Sequence, residues 1–364
     1  MCAFGYLDSL GDEGVIDVEY TLPTSRSRVQ QLEDRLRQAD LWVCFNAKYD
    51  LHWLRRFGIV PASTTRIWCC QLAEYLLSNQ SLPYPALGPT AEQYGVGEKS
   101  TDILTEYWDQ GISTENIPWG VISERVLSDV HLTKRLYLLQ RERVSERSER
   151  FQSLVRLSML DLLALEEMEW NGLKFDFEYA QEQAVKAREE IERIDLALAK
   201  YIEGVGFNWN SPLHKSALLY GGIVSWKEQR LTGVYKSGEK IGQDKYTWFD
   251  CEKVFPRLVN PLPKTELATA GYFSTDADTL PELKATGQAK EIIGLILERQ
   301  KLVKLSGTYF EGIHNRAKLM GWDDSIVHGQ YNQVVAVTGR LSASKPNLQN
   351  VATIVEKMIA SRYA

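Results

Sequence analysis

Between residues 154 and 309 the apolar side chains return every three or four positions along three separate stretches, which restricts the middle of the chain to helices packed on helices. The first stretch is Leu154, Leu157, Leu160, Ala164, Leu165 and Met168, predicted to form one helix face that stops at Asn171-Gly172. The second, Ala184, Ala187, Ile191, Ile194, Leu198 and Tyr201, reads as the seam of a two-helix packing. The third runs on a helix predicted from Gln288 to about Lys318: Ile292, Leu295, Ile296, Leu302, Leu305 and Tyr309 lie on one side, and Arg299, Lys301, Lys304 and Arg316 supply cations. Asn210-Ser211-Pro212 is a good helix start, since Ser caps and Pro opens a first turn. Residues 223–263 are rich in Lys, Gly, Tyr and Trp without a period and read as an exposed, hairpin-like insertion.

The first 60 residues follow a different rule. Cys2 to Leu7 and Gly14 to Leu22 read as a hairpin around a turn at Ser9 to Gly14. A helix begins at Ser25 or Ser27 and carries Val29, Leu32 and Leu36; a short strand, Leu41 to Phe45, then runs into NAKYDLHWLRRFG. Asn46 and Asp50 thus stand at a strand-to-helix junction, where open α/β sheets put their function. Arg66 to Asn79 is predicted helical, Pro83 to Pro89 breaks it, and Gly97 to Pro118 is loop and short helix. Val126, Val130, Thr133, Leu136 and Tyr137 mark another helix, with Asp129 at the edge of the stripe. RERVSERSER, residues 141–150, alternates in sign and is the candidate domain boundary.

Near the other end, Ser325 to Val337 alternates as a strand and leads into TGRLSASKPNLQN, residues 338–350. This loop has no acidic side chain. Arg340 can grip a phosphate with two parallel hydrogen bonds, and Asn347, Gln349 and Asn350 carry the donor and acceptor pairs that reach sugars or base edges. An ordinary capped turn would use the same residue types, so composition alone leaves both readings open. The net charge of −6 excludes a uniformly basic coat, and any contact with a polyanion must come from a local face. Five Cys without metal-type spacing read as reduced thiols in a cytosol-like compartment. No basic segment precedes an apolar run at the N-terminus and no stretch of about eighteen apolar residues occurs, so neither export nor a membrane span is expected.

The order of residues narrows this further. TGRLSASKPNLQN is similar to the TGRLSSSxPNLQN signature of family A DNA polymerases, the bacterial polymerase I and phage replicative class. NAKYDLHWL resembles the second motif of the 3′–5′ exonuclease domain joined to these enzymes, in which the Asp, here Asp50, helps to hold two divalent metals, Mg2+ or Mn2+. Two such ions need several carboxylates to activate a water and stabilise a leaving oxygen. The helix with Asp129 resembles the third motif, Tyr-x-x-x-Asp, but Arg125 stands where the family has its water-positioning Tyr. The first motif is an Asp-x-Glu strand ahead of the hairpin; Asp17-Val18-Glu19 lies too close to Asp50 to fill that role and reads as a solvated edge. Met168, Glu169, Asn171, Gly172 and Asp176 match the helix that opens the polymerase half, and FNWNSPLHKSALLYGG matches its thumb. RQKLVKLSGTY looks like the thumb-helix word lying along the primer-template backbone, which makes Lys304 and Thr308 expected phosphate contacts beside Arg340, Asn347, Gln349 and Asn350.

The resemblance therefore implies an α/β, ribonuclease H-like exonuclease domain without its first strand over residues 1–145, a mostly helical linker and thumb over 146–320 with its insertion at 223–263, and the start of an α+β palm over 321–364. Asp50 and Asp129 would be the exonuclease metal ligands, in a set too incomplete for hydrolysis. In the family the next element is the palm strand with the first catalytic Asp, followed by the fingers. The chain is thus expected to be the N-terminal part of a DNA-directed DNA polymerase, a split-enzyme half or a truncated frame, inactive alone. It would bind primer-template DNA, meet deoxynucleoside triphosphates only with a companion polymerase fragment, and work in a bacterial or phage-infected host cytoplasm. The alternatives are a non-catalytic DNA-binding module and a free-standing 3′–5′ exonuclease.

Overall fold

The computed structural model describes residues 2–18, 25–99, 103–322 and 325–363. The chain forms two compact units, one of Met1–Lys174, Ile326–Val351 and Ala360–Ala364, the other of Phe175–Ser325 and Ala352–Ile359. The first unit begins with β1 (Cys2–Leu7), β2 (Glu13–Val18), α1 (Ser25–Arg37), β3 (Leu41–Cys44), α2 (Ala47–Arg56), β4 (Arg66–Cys69) and α3 (Cys70–Leu77). It goes on through α4 (Leu87–Gln93), α5 (Ile103–Asp109), α6 (Trp119–Ser145), α7 (Glu149–Asn171) and β5 (Leu173–Phe175).

β1 and β2 form the expected antiparallel hairpin, with Phe4 opposite Ile16. Its turn is tied by the Asp8 carboxylate, which accepts the N–H groups of Leu10 and Asp12 at 2.8 and 2.9 Å. The hairpin sits on α6 so closely that a Cβ on Gly5 would lie 2.5 Å from a Val126 methyl. β3 and β4 pair in parallel, Trp42 opposite Ile67. Arg66 to Cys69 is thus strand, not the start of a helix, because Ile67 and Cys69 alternate inward and complete the pairing of Leu41–Cys44; the helix begins at Cys70. The buried Glu74 carboxylate of α3 accepts Tyr94 Oη at 2.6 Å and Gln140 Nε2 at 3.1 Å, which ties α3 to α6.

The break expected near residue 145 falls between α6 and α7, inside this unit. Ser148 caps α7 by accepting the Phe151 N–H at 3.4 Å. The face of α7 that enters the core is Val155, Met159 and Leu162, packed with Trp42, Leu51, Ile67 and Leu72. The face predicted from the spacing, by contrast, is exposed at Leu154, Leu157, Leu160 and Met168, while its Leu165 is buried. Both stripes repeat at helical spacing, and apolar periodicity cannot choose between two apolar faces.

The second unit holds α8 (Phe177–Ala199), α9 (Pro212–Tyr220), β6 (Gly222–Val234), β7 (Asp244–Phe255), α10 (Gly287–Leu305), a π turn (Ser306–Phe310) and α11 (Glu311–Met320). Asp176 caps α8 and Ser211 caps α9, each accepting the N–H three residues on. Ile194 and Leu198 of α8 pack on Ile292, Ile293 and Ile296 of α10, the expected seam. The insertion is a long antiparallel hairpin, β6 with β7. The helix predicted from Gln288 to about Lys318 is interrupted by the π turn.

The chain then returns to the first unit as β8 (Ile326–Val327), β9 (Gln330–Asn332) and β10 (Ser342–Ser344). β8 pairs with β5, Leu173 opposite Val327, and β9 with β10, Tyr331 opposite Ala343. Ser325 to Val337 is therefore two short strands and a turn. Its later carbonyls are taken outside any ladder, Val334 O by the Tyr84 N–H at 2.9 Å and Ala336 O by Tyr75 Oη at 2.5 Å. Among the described residues no helix is long and apolar enough to cross a membrane.

Candidate nucleic-acid interface

The loop of residues 338–350 is built on the β9–β10 hairpin. Gly339 takes a φ of 71°, a left-handed conformation that favours glycine, and the end of the Gln80 side chain lies against it. Arg340 follows and is exposed; among the described residues it forms no ion pair with an acidic side chain. Past β10, the Asn347 side-chain Oδ1 accepts the Gln349 N–H at 3.1 Å, a local turn that fixes the spacing of the two residues. Gln349 and Asn350 are exposed and Asn347 is half-buried.

Behind this hairpin lies an ion-pair cluster whose partners could not be paired from spacing. Lys48, His52 and Arg55 stand on one face of α2, opposite Glu166 and Glu169 on α7. Arg55 grips Glu166 with two hydrogen bonds of 2.8 and 2.6 Å. Lys48 Nζ donates to Glu169 Oε1 at 2.6 Å and also to the Tyr331 carbonyl, while the same Oε1 accepts the Tyr331 N–H at 2.6 Å. The available signal was a cation stripe at i, i+4 and i+7 on α2 and two acids three apart among leucines on α7.

Lys304 and Thr308 belong to the second unit and are exposed, Lys304 in the last turn of α10 and Thr308 in the π turn. Arg299 is already engaged: its Nε and Nη2 donate to Asp195 at 2.6 and 3.2 Å and its Nη1 to Asn210 at 3.0 Å. That leaves it without the free fork a phosphate needs.

The nuclease-like residues lie in the first unit. Asp50 is half-buried beside two thiols; burial pushes its carboxyl up to about 7, partly offset by a hydrogen bond with Cys44. The Cys44 thiol is itself pushed well up, chiefly by burial. Asp129 pairs with the buried Arg125 one helical turn earlier, so the residue standing in for the family's Tyr neutralises the expected ligand. Asp17 pairs with Arg28, and Glu19 lies outside the described residues. Among the described residues no three His, Cys, Asp or Glu side chains converge on a point that could hold a metal. A carboxylate that favours its proton and one bound to a guanidinium are poor ligands for hard divalent ions. These residues therefore do not fit a two-metal centre, and no hydrolytic step follows from them.

Residues 252–364, which include α10, the π turn and the whole loop, match the family model of DNA polymerase family A. Over that span the chain is similar to family A. Its similarity to curated DNA polymerases reaches further. It is 29% identical over 295 residues, 79% of this chain, to DNA polymerase I of Bacillus subtilis, and 24% identical over 92% of this chain to the DNA polymerase of Bacillus phage SP01. The chain spans only 27% and 38% of those two proteins. Among solved structures, a "POL domain of Pol1 from M. smegmatis complex with DNA primer-template and dNTP" aligns with 98% of this chain and 51% of its own, at a TM-score of 0.66 and 19% identity. That likeness is one of fold, and it extends the polymerase-type fold over nearly the whole chain.

Proposed function

We propose that this chain is the primer-template-binding part of a DNA-directed DNA polymerase, a nucleotidyltransferase of DNA replication. The observation that carries the reading is the exposed Arg340 on a short hairpin, followed by three amide side chains, within the span that matches family A. Arg340 would hold a backbone phosphate, and Asn347, Gln349 and Asn350 would meet sugar or base edges. In this reading the helices of the second unit act as the thumb, with Lys304 and Thr308 on phosphates, and the β9–β10 hairpin opens the palm. The hairpin β1–β2, the parallel pair β3–β4 and their helices are a ribonuclease H-like, exonuclease-derived domain without hydrolytic work. The Mycobacterium smegmatis structure, solved with primer-template and dNTP, supports the choice of nucleic acid. Mg2+ or Mn2+ and deoxynucleoside triphosphates would enter with further family A sequence, in the cytoplasm of a bacterium or an infected host.

The test is a salt titration of primer-template binding. Each phosphate contact should contribute about −0.9 to the slope of log K against log salt. Arg340→Ala and Lys304→Ala should each flatten the slope by about that amount and weaken binding about fivefold, whatever the DNA sequence. Binding indifferent to salt and to both substitutions overturns the reading.

A further inference from the structure

We propose that Lys48 and Glu169 are positioning residues that clamp the Tyr331 peptide and so aim Arg340 at the nucleic acid; this rests on reading Arg340 as a phosphate contact. Tyr331 is the central residue of β9 and faces Ala343 of β10, so whatever fixes Tyr331 fixes the hairpin from which Arg340 projects. Both polar groups of that residue are engaged by one ion pair: Glu169 Oε1 takes its N–H at 2.6 Å, and Lys48 Nζ donates to its carbonyl. The two side chains join each other at 2.6 Å and are only 16% and 5% exposed. A buried ammonium and carboxylate are tolerated when their remaining hydrogen-bonding positions are filled, and here the Tyr331 backbone fills one on each.

Glu169 is held from its own side as well. His52 Nε2 stands 3.4 Å from its other carboxylate oxygen, and His328 Nδ1 lies 2.8 Å from its carbonyl. α7 ends immediately beyond, at Gly172, where a Cβ would stand 2.7 Å from both the Ile326 side chain and the Val327 carbonyl. The strand pair β5–β8 and the clamp therefore bracket the start of the returning segment. The nuclease-like word NAKYD acquires a purpose in this arrangement: it sends Lys48, not a metal-bound Asp50, to the segment that carries the signature loop.

The inference is tested in the full chain with Glu169→Gln, Lys48→Met and the conservative Lys48→Arg. The first readout needs no DNA: amide exchange at Tyr331 and at residues 342–344 should speed up in Glu169→Gln and Lys48→Met while the amides of α6 keep their rates. The second is a double-mutant cycle on primer-template affinity. Each of the two variants should bind about fivefold more weakly with a salt slope flatter by about 0.9, and adding Arg340→Ala should cost less than about twofold more. Lys48→Arg should keep its affinity within about twofold. If Arg340→Ala costs the same factor with and without the clamp, Lys48 and Glu169 support the fold alone and the inference fails while the phosphate reading stands. If Arg340→Ala has no effect in the unsubstituted chain, the phosphate reading falls and takes the clamp's purpose with it. Should Glu169→Gln not fold, Lys48→Met carries the cycle.

Discussion

At the scale of single residues, burial of the Asp50 carboxyl ties the stability of the chain to pH. Asp50 sits at the strand-to-helix junction where the spacing put it, but its carboxyl is raised from 3.8 to about 7 by burial. The folded chain holds that proton more tightly than the unfolded one. The stability it gives is complete below about pH 4, drains away as the pH rises through about 7, and then levels off. Three pKa units correspond to a loss of at most about 4 kcal/mol. Asp50→Asn, which cannot ionise, should therefore match the parent chain near pH 4 and be the more stable of the two at pH 8. Denaturant unfolding at both pH values checks this, and an equal shift at the two would contradict it. At Asp129 the spacing itself was informative: Arg125 is the wrong residue for the motif, and its place one helical turn earlier on the same helix brings its guanidinium onto the carboxylate. Incubation with single-stranded DNA and Mg2+ or Mn2+ should accordingly give no 3′-end trimming, and trimming abolished by Asp50→Ala would restore the nuclease reading.

At the scale of elements, caps and seams were legible where local chemistry decides them: Ser211 opens α9 and Gly172 ends α7 where the sequence put them, whereas the Asp176 cap of α8 was not read. The inward face of α7 was not, since tertiary packing chose Val155, Met159 and Leu162 over an equally periodic stripe. Leu157→Gln should cost under about 0.5 kcal/mol, whereas Leu162→Ala should cost about 2–5 kcal/mol. A reversal of that order in thermal melts would move the core to the other face. The Arg66–Cys69 strand was missed for a similar reason: four residues show little period, and pairing with β3 decides them. Gly172 combines a φ of 65° with a virtual Cβ only 2.7 Å from the Val327 carbonyl, so Gly172→Ala should destabilise the first unit by about 2 kcal/mol or more. The π turn leaves no trace in the hydrophobic spacing. A Cβ on Gly312 would fall 2.2 Å from the Gly307 carbonyl, and Gly312→Ala should remove the contribution of Lys304 to the salt slope without touching that of Arg340.

At the scale of the whole molecule, the order of strands and helices followed by long helices was readable, except at the Arg66–Cys69 strand, the π turn and the short strands of the returning segment. What local pattern could not give is that residues 326–351 fold into the unit begun at the N-terminus, because β5–β8 pairing joins segments about 150 residues apart. That return has a consequence for assembly. β8 and β9 each have a single neighbour, β5 and β10, so one edge of each strand is covered and the other still offers its backbone to a partner. The relatives are far longer than this chain, which spans 27% of the Bacillus subtilis enzyme and 38% of the phage one. Phosphoryl transfer needs two metals held by carboxylates and a cation on the nucleotide phosphates. No such metal cluster occurs among the described residues. On the proposed function, template-directed synthesis should need a fragment that supplies palm and fingers. Mixed with a fragment that supplies palm and fingers, this chain should co-purify with it and extend a primer, while neither piece extends one alone. Arg340→Ala in this chain should weaken primer-template binding by the mixture without dissolving the pair, since the proposed function puts the loop on DNA and not on the companion. Fragments that stay apart at micromolar concentration, or a pair that forms and extends nothing, would leave a DNA-binding module as the reading that survives.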